Sequence, residues 1–198
     1  MDALEYLHSL VQANEGGCRL IESVAQFDAA ADHIVGLIGD SFALYSAGRF
    51  ATSAFLSITA IEEIAKVHVG SFSDGAHRDD EQKNAFRSHQ SKLHLAAMPT
   101  VAMGSRLNEA LGGGEVDRLI NSMQKGRLVK KREAALYFEK RGESIIFPSD
   151  RISKDDARGL LLLAVEIFDD ALVGSTNHSF ELSEHTDEIF STVTNDIL

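Results

Sequence analysis

The sequence predicts an all-α fold, and three observations support this prediction. Apolar residues recur at helical spacing, every three to four positions, along most of the 198 residues. Only two prolines, Pro99 and Pro148, occur in the chain. Hydrophobic residues make up 44% of the composition, which is enough to form a core. We therefore expect one helical domain that spans residues 1–198.

Turn-forming residues divide the first two thirds of the chain into separate predicted helices. Gly16-Gly17, Ala47-Gly48 and Gly112–Gly114 are the clearest of these breakers. The predicted helices cover residues 2–13, 18–46 with a break near Phe27, 49–72, 79 to the residue before Pro99, and from there to Leu111. The next helix is predicted to begin near Glu115 and to carry a basic run.

The chain changes character between residues 136 and 148. Two short β-like runs flank Arg141-Gly142, which predicts a small β-hairpin or an irregular extended excursion. Ser153 and Asp156 then form a capping-box sequence that opens the most apolar helix, which ends near Gly174. A final amphipathic helix is expected at about residues 180–195.

Several features predict a cytoplasmic protein with no membrane partner. The single cysteine, Cys18, cannot form an internal disulfide, which fits a reducing compartment. The N-terminal residues are acidic and lack the basic start and apolar run of a signal peptide. The most apolar stretch, 160–168, is interrupted by Glu166 and is much shorter than the roughly 20 residues that span a bilayer.

The charge of the chain is unevenly distributed. The net charge is −11, which disfavours broad binding to nucleic acid. Residues 125–141, however, contain seven cations and two acids, so this segment is +5 and the rest of the chain is −16. Either the segment is a solvated helix face or it is a local binding site for RNA, DNA or an acidic partner. The candidate RNA-binding residues are Lys125, Arg127, Lys130, Lys131 and Arg132.

The helix over residues 49–72 contains a carboxylate on its apolar side. Its predicted apolar stripe comprises Ala51, Ala54, Ile58, Ile61, Ala65, Val69 and Phe72. At about 100° per residue, Glu62 lies inside this stripe, whereas Glu63 falls on the far side. A carboxylate on a buried face needs a partner, because an unpaired buried charge costs several kcal/mol. Lys66, one turn after Glu62, is the nearest candidate on the same helix.

The next predicted helix has His89 on its apolar stripe, between Phe86 and Leu93. If the two helices pack together, Glu62 and His89 can meet. The expected polar core cluster comprises Glu62, Glu63, Lys66 and Lys92 together with His89. It is either a buried ion network that fixes helix register or part of a reactive site. One glutamate and one histidine fall short of the ligand set that metals require, so we predict neither a metal nor a cofactor.

Arg87 and His94 are separated by six residues and are expected on one flank of that helix. Cleavage of RNA through its 2′-hydroxyl needs a base that works near neutral pH, and histidine supplies one. It also needs a cation to stabilise the charge that develops on the phosphate, and arginine supplies that. This spacing by itself is a weak signal, since it arises by chance in many sequences.

Three blocks of the chain resemble the AbiV-type abortive-infection proteins. Residues 49–66 are similar to a helix with an A-x-E-E-x-(G/A)-K core, in which Ala65 stands where glycine is usual. Residues 86–92 resemble the following helix, F-R-x-H-x-x-K. Residues 132–138, Pro148 and residues 152–157 resemble a third block. The blocks occur in the order of the family, and the resemblance covers about residues 30–173.

The resemblance implies a HEPN-like helical bundle and a role in bacterial defence against phage. HEPN domains are often metal-independent ribonucleases that use R-x(4–6)-H and act as homodimers. Arg87 and His94 match that spacing, and His89 is the alternative base; Ser88 stands where the superfamily often has Asn, Asp or His. RNA and a phage-encoded activator protein are the implied partners. The alternative is a non-catalytic toxin or binding module that inhibits translation by contact with protein or RNA.

Overall fold

The computed structural model describes residues 20–72, 88–97 and 105–196. These residues form a bundle of α-helices with one small hairpin, which confirms the predicted fold class. The helices are α1 (Val24–Ser46), α2 (Phe50–Phe72), α3 (His89–Ala96), α4 (Ser105–Leu111), α5 (Gly113–Gln124), α6 (Arg127–Leu136), α7 (Lys154–Leu172) and α8 (Asn177–Asn195). The strands β1 (Glu139–Arg141) and β2 (Ser144–Ile146) and a 3₁₀ turn (Pro148–Asp150) lie between α6 and α7.

Helix α2 lies at the centre of the bundle. It packs most extensively against α1 and α7 and also contacts α3 and α6. Ile58 and Ile61 of the predicted stripe are fully buried. Small polar residues join α2 to α1, since the buried Ser41 hydroxyl lies 3.0 Å from that of Ser53 and 2.8 Å from that of Ser57. A helix with so many neighbours can bring its side chains into contact with several elements at once.

Helix α7 forms the second half of the core. All of residues 160–168 are buried, including Glu166. The helix begins with the predicted capping box: Ser153 Oγ accepts a hydrogen bond from the Asp156 N–H, and Asp156 Oδ2 accepts one from the Ser153 N–H. Helix α8 packs across α1 and α7. Within the described part of the chain, no helix has both the length and the apolar character needed to cross a bilayer.

The excursion predicted at residues 136–148 is an antiparallel hairpin. Glu139 pairs with Ile146 and Lys140 with Ile145 across the two strands. Gly142 occupies the turn with a φ of 61°, a backbone conformation that glycine adopts without steric cost. The hairpin therefore follows directly from α6.

The prediction of one continuous helix from Glu115 through the basic run is wrong. Helix α5 ends at Gln124, and α6 begins at Arg127. Gly126 separates them with a φ of 66°, and a Cβ at this position would lie 2.9 Å from Cδ of Gln90 on α3. The positive φ favours glycine there, and the chain turns at this residue.

Other helix boundaries differ from the predictions because side chains cap the helices. Ser23 caps α1, which then runs without a break at Phe27. Thr176 caps α8, which begins three residues before the predicted start at Phe180. Ser88 caps α3 in an extended conformation, so a helix that continues through Ser88 is wrong. The helix predicted at residues 2–13, Cys18, and the predicted helix start near Asp79 lie outside the described residues.

Candidate functional site

Helix α3 places two donors on the buried carboxylate of Glu62. Glu62 projects from α2 and is only 1% exposed. His89, the first residue of α3, donates from Nδ1 to Glu62 Oε2 at 2.5 Å. Lys92, nearly one turn later, places Nζ 3.2 Å from the same oxygen. The predicted contact between Glu62 and His89 is therefore present, and Lys92 completes it.

Helix α6 adds Arg132 on the other side of the carboxylate. Its Nε lies 3.8 Å from Glu62 Oε1, which is longer than a hydrogen bond. Among the described residues, these two buried atoms have no hydrogen-bond partner. The guanidinium carbon of Arg132 lies 4.8 Å from the ring centroid of Phe55, so a cation–π contact supports it. Glu62, Glu63, Lys66, His89, Lys92 and Arg132 are called the Glu62 cluster below.

The prediction that Lys66 pairs with Glu62 is wrong. Lys66 Nζ lies 2.7 Å from Oε2 of the neighbouring Glu63. Residues three apart on a helix are also close, and Glu62 is enclosed by α3 and α6. Glu63 is not simply an outward residue: its side chain is 23% exposed, and Lys92 Nζ lies 4.0 Å from its Oε1. Both carboxylates of the pair thus belong to one network.

The Glu62 cluster carries more positive than negative charge. Lys66, Lys92 and Arg132 stand against two carboxylates, so the cluster is +1 when His89 is neutral. The whole chain, in contrast, has a net charge of −11. A local excess of cations in an acidic protein attracts anions such as phosphate.

His89 is the member of the cluster with both a fixed ring and access to solvent. Its side chain is 42% exposed, whereas that of Glu62 is 2% exposed. An ionised carboxylate only accepts hydrogen bonds, so Nδ1 carries the proton and Nε2 of the neutral ring carries the lone pair. Ser88 caps the helix at this point, because its Oγ accepts a hydrogen bond from the Ser91 N–H. The contact with Glu62 therefore fixes the ring and leaves Nε2 as the nitrogen that does not contact Glu62.

The other predicted catalytic residues lie elsewhere or are not described. His94 is half-buried in the last turn of α3. It follows His89 by five residues, which places it about 140° around the helix, away from the face that meets Glu62. Arg87 lies outside the described residues. The structure therefore brings His89, and not His94, to the Glu62 cluster.

The five predicted RNA-binding residues divide into two groups. Lys125, Arg127 and Lys130 are exposed at the end of α5 and on α6. Lys131 instead forms an ion pair with Asp156 at the start of α7. Burial opposes ionisation of Asp156, but the hydrogen bond from Lys131 and those from Ser153 outweigh it and lower the pKa of this carboxyl. Since Arg132 turns towards Glu62, only three of the five cations face solvent.

A second charged group, around Arg106, was not predicted. Arg106 on α4 places Nε 2.5 Å from Oε2 of Glu166, which is 3% exposed, and also binds Asp169 and Asp187. Its guanidinium carbon lies 4.4 Å from the ring centroid of Phe190. The signal in the sequence was Glu166, because a carboxylate inside the most apolar helix requires a buried cation. Arg106, Glu166, Asp169, Asp170 and Asp187 are called the Arg106 cluster below.

Burial raises the pKa of two acids of the Arg106 cluster, and neighbouring carboxylates reinforce the effect. Burial, reinforced by repulsion from Asp187 and Glu166, raises the pKa of Asp169 to about 6 despite the opposing effect of Arg106. Burial and repulsion from Glu166 raise the pKa of Asp170 to about 6 as well. The described residues contain no group of three or more His, Cys, Asp or Glu side chains placed to hold a metal ion.

A comparison with protein families supports the resemblance seen in the three sequence blocks. The AbiV model of the HEPN group matches residues 22–169, from just before α1 to near the end of α7. The chain therefore belongs to the AbiV family of HEPN proteins, and the resemblance seen in the sequence is confirmed. Membership of this family indicates a role in abortive infection, a bacterial defence against phage. No curated protein and no solved structure matches the chain.

Proposed function

We propose that this chain is an abortive-infection endoribonuclease in which His89 is the general base. The observation that carries the proposal is the hydrogen bond of 2.5 Å between His89 Nδ1 and the buried Glu62 carboxylate. It orients a half-exposed imidazole and leaves Nε2 to exchange protons with a substrate. A histidine that only fills a core would not need an exposed edge.

The proposed reaction uses the 2′-hydroxyl of RNA as its nucleophile. His89 Nε2 takes the hydroxyl proton, and the oxygen attacks the adjacent phosphorus. The bond from phosphorus to the 5′-oxygen breaks, and that oxygen receives a proton from water, so the products carry a 2′,3′-cyclic phosphate and a 5′-hydroxyl. Glu62 stabilises the imidazolium that forms during the reaction, as carboxylates do in other histidine-based sites.

Cations near His89 supply the electrostatic part of the proposal. The phosphate gains negative charge in the transition state, and positioned cations stabilise it. Within the Glu62 cluster, the side chains of Lys66 and Arg132 are 36% and 22% exposed, so both have access to an anion at the surface. Arg87, two positions before His89 in the sequence, is a further candidate cation, although the R-x(4–6)-H spacing pairs it with His94 and not with His89.

The proposal extends to the setting of the reaction. We propose that the active form is a homodimer in the cytoplasm, that a phage-encoded protein activates it, and that the cut RNA stops translation. Membership of an abortive-infection family supports the last of these points, since a halt in translation is one way to stop phage growth in an infected cell.

A non-catalytic role is the second candidate, and one observation favours it. Glu62 and Lys92 have only 2% and 9% of their side chains exposed, which is typical of an ion network that fixes how helices pack. In this alternative, the chain inhibits translation by binding, and His89 only completes the network between α2 and α3.

The test compares four alanine variants of the purified protein on labelled RNA and in phage-infected cells. His89→Ala should lower the cleavage rate by about 100-fold or more, which is the usual contribution of a general base. Arg87→Ala should lower it by a similar factor if the motif arginine binds the phosphate. His94→Ala tests the other histidine, and His33→Ala, at an exposed position on α1, is the matched control.

The outcomes separate the two candidates. Cleavage that survives in His94→Ala and His33→Ala but not in His89→Ala supports the proposal. Loss in His94→Ala with full activity in His89→Ala moves the base to His94 and refutes the role of His89. Phage defence that persists in all four variants, with no cut tRNA or rRNA, rules out a nuclease and leaves the binding module.

A further inference from the structure

The hairpin β1–β2 and the residues beside it form an exposed apolar surface. Five large hydrophobic side chains within twelve residues are 44–65% exposed: Leu136, Tyr137, Phe138, Ile145 and Phe147. Three of the five are aromatic. Single exposed apolar residues are common, but a continuous patch of this kind on a folded protein usually marks a site that binds something.

The strand register places two of the aromatic rings on one face of the hairpin. Lys140 pairs with Ile145, and side chains alternate between faces along each strand. Phe138 lies two residues before Lys140, and Phe147 lies two residues after Ile145. Both phenylalanines therefore lie on the same face as Lys140 and Ile145. Their ring centroids are 6.3 Å apart and tilted by 49°. This face, defined by Phe138, Lys140, Ile145 and Phe147, is called the aromatic face below.

Charge on the aromatic face is positive. Lys140 is the charged residue that the strand pairing places there, and it is exposed. Glu139 lies on the opposite face, where it binds Arg141 and Arg151. Residues 125–141 as a whole are +5 in a chain of −11. Aromatic rings beside lysines are the combination with which proteins bind single-stranded nucleic acid, since the rings stack on bases and the cations contact phosphates.

The aromatic face is adjoined to the Glu62 cluster by helix α6. Arg132 of the cluster lies on α6, and the aromatic face begins at Phe138, two residues after the end of that helix. Between the helix and the hairpin lies a groove of about 660 Å³. Its charged lining comprises three cations, Lys130, Arg141 and Arg151, and two acids, Glu133 and Glu139, and the rings of Tyr137 and Phe138 also line it. One strand of nucleic acid could therefore contact both regions.

We propose that the aromatic face binds unpaired bases of single-stranded RNA next to the Glu62 cluster, an inference that rests on the proposed ribonuclease function. A second copy of this chain fits the surface less well. A two-fold interface on this face would bring Lys140 and its neighbouring cations against their own equivalents, and like charges repel. An RNA strand brings the complementary charge.

The test measures binding of a single-stranded 2′-O-methyl RNA, which has no free 2′-hydroxyl and cannot be cut by the proposed reaction. The double variant Phe138→Ala/Phe147→Ala should raise the Kd about tenfold or more, because each stacked base contributes substantially. Phe138→Tyr/Phe147→Tyr retains both rings and should bind like the wild type. Phe180→Ala is the matched control, since Phe180 is 63% exposed but lies on α8.

Each outcome bears on one of the two proposals. Weaker binding only in the double alanine variant supports the aromatic face, even if the wild type cuts no RNA and the ribonuclease proposal fails. Equal binding by all variants overturns the aromatic face while leaving cleavage by His89 intact. Absence of binding by the wild type overturns it too, as does a double alanine variant that changes only self-association in sedimentation experiments, because the occupant is then a second copy.

Discussion

The Glu62 cluster and the Arg106 cluster are two buried ion networks with opposite charge balance. In the first, a carboxylate with 1% exposure is surrounded by donors from α3 and α6. In the second, one arginine is shared among Glu166, Asp169 and Asp187. Each arginine, Arg106 or Arg132, also lies over a phenylalanine ring. The same kinds of interaction, charge pairing with a buried carboxylate and a cation–π contact, thus occur in a cation-rich cluster and in an acid-rich one.

The difference in charge balance distinguishes a candidate functional site, the Glu62 cluster, from a structural contact between helices, the Arg106 cluster. The cation-rich cluster presents His89 to solvent and can accept an anion. The acid-rich cluster joins α4, α7 and α8, and burial together with repulsion between its carboxylates raises the pKa of the half-buried Asp169 and Asp170. We therefore expect changes in the Arg106 cluster to alter mainly stability, and changes in the Glu62 cluster to alter stability and activity together.

The largest expected effect is on the Arg106 cluster. Arg106→Met should lower the free energy of unfolding by about 3–5 kcal/mol, because it leaves Glu166 buried without its cation. Urea unfolding monitored by circular dichroism measures this. Arg118→Met is the control: Arg118 is 54% exposed and pairs with Glu115 on the surface, so its loss should cost less than about 1 kcal/mol. Equal effects of the two substitutions would contradict a structural role for the Arg106 cluster.

The next effect compares two neighbouring glutamates that differ in burial. Glu62→Gln should lower the free energy of unfolding by about 2–3 kcal/mol, because Lys92 loses its closest anion. Glu63→Gln, at a side chain with 23% exposure, should cost less than about 1 kcal/mol. Glu62→Gln should also lower the cleavage rate, since an amide stabilises the imidazolium less well. A variant that is destabilised but fully active would reduce Glu62 to a structural role.

The smallest effect is a pH dependence of stability that arises in the acid-rich cluster. Between about pH 4 and pH 6, the folded state binds more protons at Asp169 and Asp170 than the unfolded state, because their folded pKa values are about 6. Their contribution to the free energy of unfolding therefore falls as the pH rises through this window, by about 1–2 kcal/mol after allowance for solvent screening.

Asp170→Asn isolates this contribution. Asparagine resembles the protonated acid, so the variant should gain about 1 kcal/mol over the wild type at pH 7 and little at pH 5. Asp117→Asn, at an exposed position on α5, serves as the control. Thermal unfolding at the two pH values measures both. If the difference between the variant and the wild type does not depend on pH, the burial of Asp170 does not perturb its titration.

Local patterns in the sequence were sufficient for most of the fold. Most of the predicted apolar stripe of α2 is buried, and the turn at Gly48 and the capping box at Ser153 are present, because each depends on neighbouring residues. The break at Gly126 was missed, because a single glycine in a helical pattern does not reveal that its backbone adopts a positive φ. The start of α3 at Ser88 shows the same limitation, because helical periodicity alone does not reveal which residue acts as the cap.

The candidate site was predictable only in part. Burial of Glu62 and its contact with His89 follow from periodicity and from the packing of neighbouring helices. The prediction that Glu62 pairs with Lys66 of its own helix was wrong. Two other helices enclose the Glu62 carboxylate, and Lys66 pairs with Glu63 instead. Arg132 was expected to face RNA, but the packing of α6 on α2 turns it inward over Phe55.

The sequence alone determined which buried side chains in this protein require an oppositely charged partner. An acid in an apolar helix, such as Glu62 or Glu166, requires a counter-charge wherever the chain folds, because burial without one is too costly. Which cation comes to each acid was decided only by the tertiary structure. Arg106 and Arg132 are distant in sequence from the acids they approach, and the packing of α4 and α6 brings them there. The same packing decides that one cluster has excess cations and an exposed histidine, whereas the other has excess acids.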